Sequence, residues 1–457
     1  MMDTLTAAKA VDGRLVGEVA EFERVTTDSR KLAQGDLFVA LRGERFDGHD
    51  FVAKALASGA VAAIVREARA ADFAGNLIAV DDPQRALEAL ARHWRARFRL
   101  PVVAIVGSNG KTTTKEMLAA ILREAEGAEH VAATPGNFNN AIGLPLTVLG
   151  LRENHRVAVF EIGMNHRGET GALAAVAQPT CTLVTNAQRE HQEFMRTVEE
   201  VAREHADAIL ALPRGGIAVV NGDDAHAGLW REAAREVGAS TVTFGLTPES
   251  AVSARYVAQL DGSALSLETP AGPLEIALKV PGRHMVANAL AATAAALAVK
   301  VPLSAIARGL GGFRAAPGRL ALRESARGVR VIDDAYNANP DSVRAAIDVL
   351  ATMPGTKWLA LGDMGEVGEN GPAYHQEIGA YARSAGINRL FGAGPLSQMT
   401  VDAFGAGAEH FPTVEMLGGR LVEEAGPGDA VLVKGSRFMR MERVVAMLTG
   451  EGFGEAH

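Results

Sequence analysis

Residues 102–113 read Val-Val-Ala-Ile-Val-Gly-Ser-Asn-Gly-Lys-Thr-Thr, an apolar run followed by a glycine-rich turn. The apolar run predicts a buried strand, and residues 114–124 have the composition of a helix. A turn between a strand and a helix presents backbone N–H groups and the positive end of the helix to phosphate oxygens, and glycine permits the dihedral angles that this requires. In such a turn we expect Lys111 to reach nucleotide phosphates and the Thr112 hydroxyl to coordinate Mg²⁺.

The turn departs from the general phosphate-loop pattern, G-x-x-x-x-G-K-[ST]. Residue 105 is Ile rather than Gly, and a shorter form, G-x-N-G-K-T-T, stands in its place. The loop alone therefore indicates nucleotide phosphates without specifying a reaction. An ordinary strand-to-helix turn with an incidental lysine is the alternative interpretation.

Length and composition describe a multidomain globular protein. The chain has 457 residues, 48% of them hydrophobic, which at roughly 150 residues per domain suggests about three domains. A net charge of −8 leaves no basic excess for binding nucleic acid. The lone Cys181 fits a reducing compartment, and the apolar runs are too short to cross a membrane. We expect a cytoplasmic protein, a monomer, with no nucleic acid partner and no membrane insertion.

Short β-branched runs alternate with Ala- and Glu-rich stretches, which predicts an α/β fold on mostly parallel sheets. We predict boundaries before Pro101 and near Pro317-Gly318, and hence three domains: a smaller N-terminal α/β domain (1–99), a central P-loop-type ATPase domain (100–317) and a C-terminal Rossmann-like domain (318–457). Ligands of such sheets collect at the carboxyl ends of the strands. Besides 102–106, the predicted strands are 35–41, 157–162, 181–185, 217–220, 329–332, 358–361 and 430–433.

Glu161 stands at the end of the predicted strand 157–162, where a carboxylate can bind Mg²⁺ as a hard oxygen donor. A loop-capping acid is the alternative. Asn288 is expected to open a helix that continues to Val299.

The form Gly-Ser-Asn-Gly-Lys-Thr-Thr at 107–113 resembles the ATP-binding signature of the Mur ligase family, which also includes folylpolyglutamate synthase. Within the family, the segment 333–340 is similar to members that join D-alanyl-D-alanine to UDP-N-acetylmuramoyl-tripeptide. The further segments that carry the resemblance are Thr27-Asp28-Ser29-Arg30, Gly136-Asn137-Phe138-Asn139-Asn140, Glu161-Ile162-Gly163-Met164-Asn165-His166, Asp333-Asp334-Ala335-Tyr336-Asn337-Ala338-Asn339-Pro340, Gly362-Asp363-Met364-Gly365-Glu366 and Lys434-Gly435-Ser436-Arg437.

The resemblance implies a ligase that uses ATP and Mg²⁺ to form an amide through an acyl phosphate, in peptidoglycan precursor synthesis. The implied substrates are UDP-N-acetylmuramoyl-tripeptide and D-alanyl-D-alanine. One alternative is another ligase of the same architecture, which adds a different amino acid or adds glutamate to a folate. Another is a nucleotide-dependent binding or regulatory protein, which has no evident use for Glu161, His191 and Arg319 together.

Residue roles also follow from the resemblance. The implied catalytic residues are Lys111, Glu161, His191 and Arg319, and the implied Mg²⁺ ligands are Thr112, Glu161 and His191. The implied ATP-binding residues are Gly107, Asn109, Gly110, Lys111, Thr112, Thr113, Asn288, Arg319, Asp334, Tyr336 and Asn337. The implied substrate-binding residues are Ser29 and Arg30 for the uridine diphosphate part, Thr134, Asn139 and Asn140 nearer the reacting end, and Asp341, Ser342, Lys434, Ser436 and Arg437 for the dipeptide.

One position departs from the family pattern. Many members carry, shortly after the metal-binding histidine, a lysine that CO₂ carbamylates, but the corresponding residue here is His205, and no lysine lies between Lys115 and Lys279. The usual carbamate therefore cannot form at this place. Either Glu204 or His205 takes a supporting role, or Glu161, His191, phosphate and water hold a second Mg²⁺. We favour the latter, since Mg²⁺ commonly keeps several waters.

Overall fold

The computed structural model describes residues 1–43 and 46–450; the predicted end of the third domain, residue 457, lies outside them. Within these ranges the strands form sheets of five, nine and six members and a two-stranded ribbon. The three larger sheets follow one another along the chain, each with its own helices. The fold is therefore α/β with three domains, which we call N-terminal, middle and C-terminal.

The N-terminal domain is built on the five-stranded sheet, in the order β2-β7-β6-β5-β4, and β2 alone among the described strands of this sheet pairs antiparallel. Pro83 begins α3, and the Asp82 side chain accepts a hydrogen bond from the Gln84 amide as its cap. At the other end of α3, Trp94 Nε1 donates to the carbonyl oxygen of Leu151 at 3.1 Å, which ties this domain to the middle one. The elements are β1 (Met2–Asp3), α1 (Thr4–Ala10), β2 (Arg14–Val16), β3 (Glu21–Phe22), β4 (Arg24–Thr26), β5 (Asp36–Val39), α2 (Val52–Ala57), β6 (Ala62–Arg66), β7 (Leu77–Val80) and α3 (Pro83–Arg95).

The middle domain is built on the nine-stranded sheet, in the order β16-β15-β14-β13-β12-β11-β8-β10-β9. Strands from β9 to β14 in this order pair parallel, and β8 lies between β10 and β11. The elements are β8 (Val102–Val106), α4 (Lys111–Glu126), β9 (Val131–Ala133), α5 (Gly143–Leu149), β10 (Val157–Glu161), α6 (Glu169–Ala177), β11 (Cys181–Val184), α7 (Val198–Leu210), β12 (Ile217–Asn221), α8 (Ala227–Glu236), β13 (Ser240–Gly245), β14 (Val252–Gln259), β15 (Gly262–Glu268), β16 (Leu274–Leu278), α9 (Arg283–Ala298) and α10 (Leu303–Gly312).

Two features of the middle domain differ from the sequence predictions. Strands β14 to β16 form an antiparallel extension of the sheet, which the parallel pattern did not predict. The helix predicted to open at Asn288 begins instead at Arg283, after Gly282 with a φ of 106°. Asn288 therefore lies inside α9, where its side chain is buried rather than capping a helix end.

The C-terminal domain is built on the six-stranded sheet, in the order β17-β18-β22-β19-β20-β21, parallel except between β17 and β18. A capping box formed by Asn339 and Ser342, with Pro340 as the first residue, begins α11. The elements are β17 (Ala321–Glu324), β18 (Arg330–Asp334), α11 (Pro340–Ala351), β19 (Lys357–Gly362), α12 (Gly371–Ser384), β20 (Arg389–Ala393), α13 (Ser397–Phe404), β21 (Ala408–Phe411), α14 (Val414–Glu424), β22 (Ala430–Lys434) and α15 (Glu442–Thr449).

Apolar packing joins the domains. One core cluster combines buried residues of the N-terminal and middle sheets, and another continues from the middle domain into α11 and β22. In the ranges 1–43 and 46–450 no helix combines the length and the apolar character that a membrane crossing needs.

Candidate active site

The glycine-rich turn at 107–113 lies where β8 ends and α4 begins. Gly107 and Gly110 have φ angles of 134° and 83°. A Cβ atom at Gly107 would lie 2.0 Å from the Thr185 hydroxyl oxygen, and one at Gly110 would lie 2.3 Å from the side-chain oxygen of Asn288. Both the backbone conformation and the close neighbours therefore require glycine at these positions.

The chain after β11 holds the backbone of this loop. The Ser108 amide donates to the carbonyl oxygen of Asn186 at 3.0 Å, and the Asn109 amide donates to its side-chain oxygen at 2.9 Å. The first turn of α4 begins at Lys111, directly after Gly110, which has no side chain to cap the N–H groups of that turn. These N–H groups can therefore bind an anion.

Lys111 lies over the loop and lines the cavity beside it. Its ammonium group donates to the carbonyl oxygens of Gly107 and Ser108, the latter at 3.1 Å. It also lies 3.5 Å from a carboxylate oxygen of Glu190. The positive charge of Lys111 thus lies next to the N–H groups of the loop, and a phosphate bound there would interact with the ammonium group and with the N–H groups.

Glu161, the last residue of β10, is 1% exposed and lies beside the first turn of α4. Its Oε1 accepts hydrogen bonds from the Thr112 hydroxyl at 3.0 Å and from the Asn139 side chain at 2.7 Å. Its Oε2 is buried and finds no hydrogen-bond partner among the described residues. A buried carboxylate oxygen without a partner, next to a threonine hydroxyl, has the chemistry of a Mg²⁺ site.

His191 has a φ of 48°, and the segment 188–193 carries it to the C-terminal domain. Its Nδ1 lies 2.8 Å from a carboxylate oxygen of Glu366, and its Nε2 lies 3.9 Å from Glu190. Burial disfavours the charged imidazole, but these two carboxylates outweigh it and raise the pKa of His191. No group of three or more acidic, histidine or cysteine side chains in the described ranges could hold a metal ion alone, so a cation here needs phosphate or water ligands.

The two residues at the departure from the family pattern, Glu204 and His205, have separate surroundings. Glu204 accepts hydrogen bonds from the amides of Gly168 and Thr170, each at 2.9 Å, and so caps the start of α6. His205 faces Glu190, with 3.7 Å between its Nε2 and the carboxylate. Burial, with repulsion from Lys111, lowers the pKa of His205 well below its ordinary value. Of the two, only His205 lies near the phosphate loop.

The C-terminal domain closes the other side of the cavity. The side chains of Asn109 and Asn339 exchange hydrogen bonds of 2.9 and 3.2 Å across the domain interface. The Arg319 guanidinium lies over the Tyr336 ring, 4.0 Å from its centre. Both line the cavity together with Asn288, so the phosphate loop and the third domain face one common space.

Charged residues predicted to contact the dipeptide already have protein partners. Lys434 donates to Asp334 at 2.6 Å and to the carbonyl oxygen of Asn337 at 2.8 Å. Asp341 accepts hydrogen bonds of 2.6–3.2 Å from the guanidinium and backbone amide of Arg189, from the middle domain. The same guanidinium also binds Glu377 of α12 at 2.7 Å. Asp341 therefore belongs to a bridge between two domains in this structure.

The serine and arginine residues of the predicted dipeptide site also have hydrogen-bond or ion-pair partners within the C-terminal domain. Ser342 forms the capping box of α11. The Ser436 hydroxyl accepts from the Gly365 amide at 2.6 Å and donates to the carbonyl oxygen of Ala338. Arg437 lies 3.2 Å from Glu442.

One cavity of about 1620 Å³ collects most of the predicted residues. Gln84 and Glu88 of the N-terminal domain complete its wall. The predicted residues that line it are Asn109, Gly110, Lys111, Thr112, Thr113, Asn139, Asn140, Glu161, His191, Asn288, Arg319, Asp334, Tyr336, Asn337, Asp341, Ser342, Lys434, Ser436 and Arg437.

Ser29, Arg30 and Thr134 are not brought to this cavity, and Gly107, the first residue of the loop, is also absent from its wall. Arg30 is exposed and paired with Asp28. The Thr134 hydroxyl is buried and accepts from the Glu161 amide at 2.9 Å, so it holds the backbone of Glu161 at the end of β10.

The sequence reading did not single out three charged residues near the site. Arg189 and Glu190 directly precede His191, and the charged run after β11 was the available signal. Lys115 is fully buried in α4 and donates to the carbonyl oxygens of Thr134 and Gly136 at 2.8 and 3.3 Å. Its role in shaping the loop before Asn139 has no local sequence signal, because its partners come from later in the chain.

A phosphate loop at the carboxyl end of a parallel sheet, facing a second α/β domain across one cavity, defines a nucleotide-dependent enzyme of the α/β class. Family models match all three domains: "Mur ligase family, catalytic domain" at 21–95, "Mur ligase middle domain" at 105–296 and "Mur ligase, glutamate ligase domain" at 318–437. The chain belongs to the Mur ligase family and is a ligase.

Several relatives that match nearly the full length carry the name UDP-N-acetylmuramoyl-tripeptide–D-alanyl-D-alanine ligase. The relative from Escherichia coli is 39% identical, covering 97% of both chains, and that from Bacillus subtilis is 35% identical, covering 96% of both. A crystal structure of MurF from Acinetobacter baumannii superposes with a TM-score of 0.90 at 33% identity, covering 98% of both chains. MurF ligase from Thermotoga maritima, in complex with ADP, superposes with a TM-score of 0.81 at 28% identity, covering 94% of this chain and 97% of that one.

Proposed function

We propose that this ligase joins D-alanyl-D-alanine to UDP-N-acetylmuramoyl-tripeptide at the expense of ATP, in peptidoglycan precursor synthesis. Relatives that carry this name match from end to end at 31–39% identity. The observation in the structure that carries the proposal is the shared cavity, in which the phosphate loop and Glu161 face Arg319 of the C-terminal domain. A site of action in the cytoplasm accords with the buried thiol of Cys181.

Amide formation from a carboxylate at neutral pH needs a better leaving group than oxide. In the proposed first step, the substrate carboxylate attacks the γ-phosphorus of ATP, the bond to ADP breaks, and an acyl phosphate forms. The N–H groups of the loop and the ammonium group of Lys111 bind the phosphate oxygens, and Arg319 approaches them from the facing domain. Such fixed charges favour the transition state more than the ground state.

The residues beside the loop fit Mg²⁺. Thr112 and Glu161 would hold one ion, with the free oxygen of Glu161 as its main protein donor, and His191 would hold a second. When bound, Mg²⁺ withdraws charge from the phosphate oxygens and so assists their transfer. Asn139 holds the Glu161 carboxylate through its hydrogen bond, and Thr134 holds the Glu161 backbone.

In the proposed second step, the dipeptide amine attacks the acyl carbon, a tetrahedral intermediate forms, and phosphate leaves. Asn288, Tyr336 and Asn337 are assigned to the nucleotide. Asn140, Ser342, Lys434, Ser436 and Arg437 are assigned to the substrates, and Lys434 adjoins the nucleotide group through its hydrogen bonds to Asp334 and Asn337. Ser29 and Arg30 are assigned to the uridine diphosphate part.

The test combines Mg-ATP, UDP-N-acetylmuramoyl-tripeptide and D-alanyl-D-alanine and measures ADP and the pentapeptide product together. The expected result is equal amounts of both, with neither formed when the dipeptide is omitted. ADP release that is equal without the dipeptide would contradict ligation. Replacement of the dipeptide by single L-amino acids, or of both substrates by a folate and glutamate, distinguishes the other ligases of this architecture, and product from those mixtures alone would overturn the assignment.

A further inference from the structure

Glu190 places a carboxylate at the phosphate loop that the assignments above leave without a function. The residue follows β11, lines the cavity, and is 8% exposed. Its Oε2 lies 3.5 Å from the ammonium nitrogen of Lys111 and 3.9 Å from Nε2 of His191. Its Oε1 lies 3.7 Å from Nε2 of His205.

Part of this cluster lacks the partners that buried polar groups normally have. Oε1 of Glu190 has no hydrogen-bond partner among the described residues, and neither ring nitrogen of His205 has one, although His205 is 1% exposed. Nearly all buried polar groups in proteins are hydrogen-bonded, and a buried carboxylate is costly without an opposite charge close by. The cluster is therefore suited to accept a further group.

Nucleotide binding alters the balance of charge at Glu190. Lys111 is the nearest lysine or arginine to this carboxylate among the described residues, and it is also the residue expected to neutralise the phosphates. Once the phosphates also interact with the Lys111 ammonium group, the negative charge of Glu190 is only partly neutralised. The Glu190 carboxylate and the phosphates then repel each other, and water screens this repulsion weakly because Glu190 is mostly buried. A cation between the carboxylate and the phosphates removes this repulsion.

We propose that Glu190 is a further ligand of the second divalent cation, the ion that the family resemblance places beside His191, which enters with the nucleotide phosphates and is separate from the cation expected at Thr112 and Glu161. His205 packs against the far oxygen of the carboxylate and is a positioning residue. The donors are hard oxygens, which suit Mg²⁺, and phosphate and water complete its coordination. Cation binding at Glu190 therefore requires the nucleotide. This inference rests on the proposed use of ATP.

The test titrates the full chain with Mn²⁺ as the probe, with and without a non-hydrolysable ATP analogue, and follows free Mn²⁺ by electron paramagnetic resonance. With the analogue, Glu190→Gln is expected to bind one Mn²⁺ fewer per chain than the unmodified protein, or to bind it roughly 10–100-fold more weakly. Glu161→Gln is expected to weaken binding of the other ion, the one expected at Thr112 and Glu161. Glu193→Gln, an exposed glutamate in the same segment, is the matched control and is expected to bind Mn²⁺ normally.

Glu190→Gln that binds Mn²⁺ in the same number and affinity as the unmodified protein would overturn the proposal. Circular dichroism and binding of a fluorescent ADP analogue in EDTA verify that each variant is folded and has an intact loop. If Glu190→Gln does not fold, Glu190→Asp decides: its withdrawn carboxylate should weaken the same ion, and unchanged binding would again refute the role. The ligase assay on the unmodified protein tests the proposed function separately, since Mn²⁺ binding with the analogue does not depend on the identity of the acyl substrate.

Discussion

The nucleotide side of the cavity and the segment 28–30 of the N-terminal domain are built in opposite ways. Glu161 and Thr112 are buried and hydrogen-bonded to each other, and Asn109 bonds across a domain interface. The Arg30 side chain is 85% exposed and pairs with its near neighbour Asp28 at 2.9 Å. The first region is held by its own hydrogen bonds, whereas Arg30 of the second lies outside the cavity and has only a local partner. Substitutions in the two regions should therefore have effects that differ in size and in the kinetic constant that changes.

The largest effect is expected on the nucleotide side, from Lys111→Ala. It removes the positive charge next to the loop N–H groups, so kcat should fall by at least about 10²–10³-fold, as when one donor to a developing charge is lost. Steady-state ADP release measures it. Lys9→Ala, on an exposed face of α1, is the control. A fall of less than about tenfold would show that Lys111 does not act on the transferring phosphate.

The next largest effect is expected where the two larger domains meet, from Arg189→Ala. This change breaks the bridge to Asp341 and Glu377. The C-terminal domain then holds Arg319 less accurately, and kcat should fall by roughly 10–100-fold, since small displacements of a facing group are costly. Small-angle scattering with nucleotide should show a larger radius of gyration than for the unmodified protein.

The control for the bridge is Arg344→Ala. Arg344 also binds Glu377, at 2.9 Å, but lies in the same domain. The Arg344→Ala substitution should leave kcat nearly unchanged. Equal losses in the two variants would assign the effect to Glu377 alone and not to contact between domains.

A smaller effect, and one on binding alone, is expected from Arg30→Ala in the open segment. Loss of a charged hydrogen-bond donor to a phosphate should raise KM for the UDP-linked substrate about tenfold, while kcat and KM for ATP stay the same. Arg14→Ala, an exposed arginine of the same domain paired with Glu67, is the comparison. An unchanged KM would remove the segment from the substrate site.

No effect at all is expected from bicarbonate. Because His205 replaces the lysine that carbamylation needs, added bicarbonate or removal of CO₂ should leave the rate unchanged. Rate measurements in CO₂-free buffer, with bicarbonate then restored, test this. A reversible rise on restoration would show that a carbamate forms at some other lysine.

How much could be predicted depended on whether a feature is local. The strand, the glycine turn and the helix at 102–126 follow from periodicity and from glycine at positions with positive φ, because all the determining atoms are near in the chain. The antiparallel extension from β14 to β16 was missed although its pairs are local: Leu260 and Asp261 join β14 to β15, and Asp-Gly at 261–262 is a hairpin signal that went unused. The start of α9 was misplaced because the helix was expected to open at Asn288, whereas it begins at Arg283 and packing buries Asn288 inside it.

The residues of the site also divide into those that the local sequence identified and those whose partners only the tertiary structure showed. Lys111, Thr112 and Glu161 were identified at strand ends, where a parallel sheet collects ligands. The assignment of Asp341 to the dipeptide did not foresee Arg189, which comes from another domain. Glu204 and His205, adjacent in sequence, could not be distinguished until the structure showed that one caps α6 and the other faces Glu190.

The sequence by itself determined the phosphate loop, the order of the three α/β units and, through matched segments, the family. Those properties depend on neighbouring residues and on hydrophobic periodicity, which a linear chain displays directly. The tertiary structure alone decided which charges meet: Lys111 with Glu190, Glu190 with His205, and Arg189 with Asp341. Ion pairs depend on separations of a few ångströms between groups far apart in the chain, and only folding sets those separations.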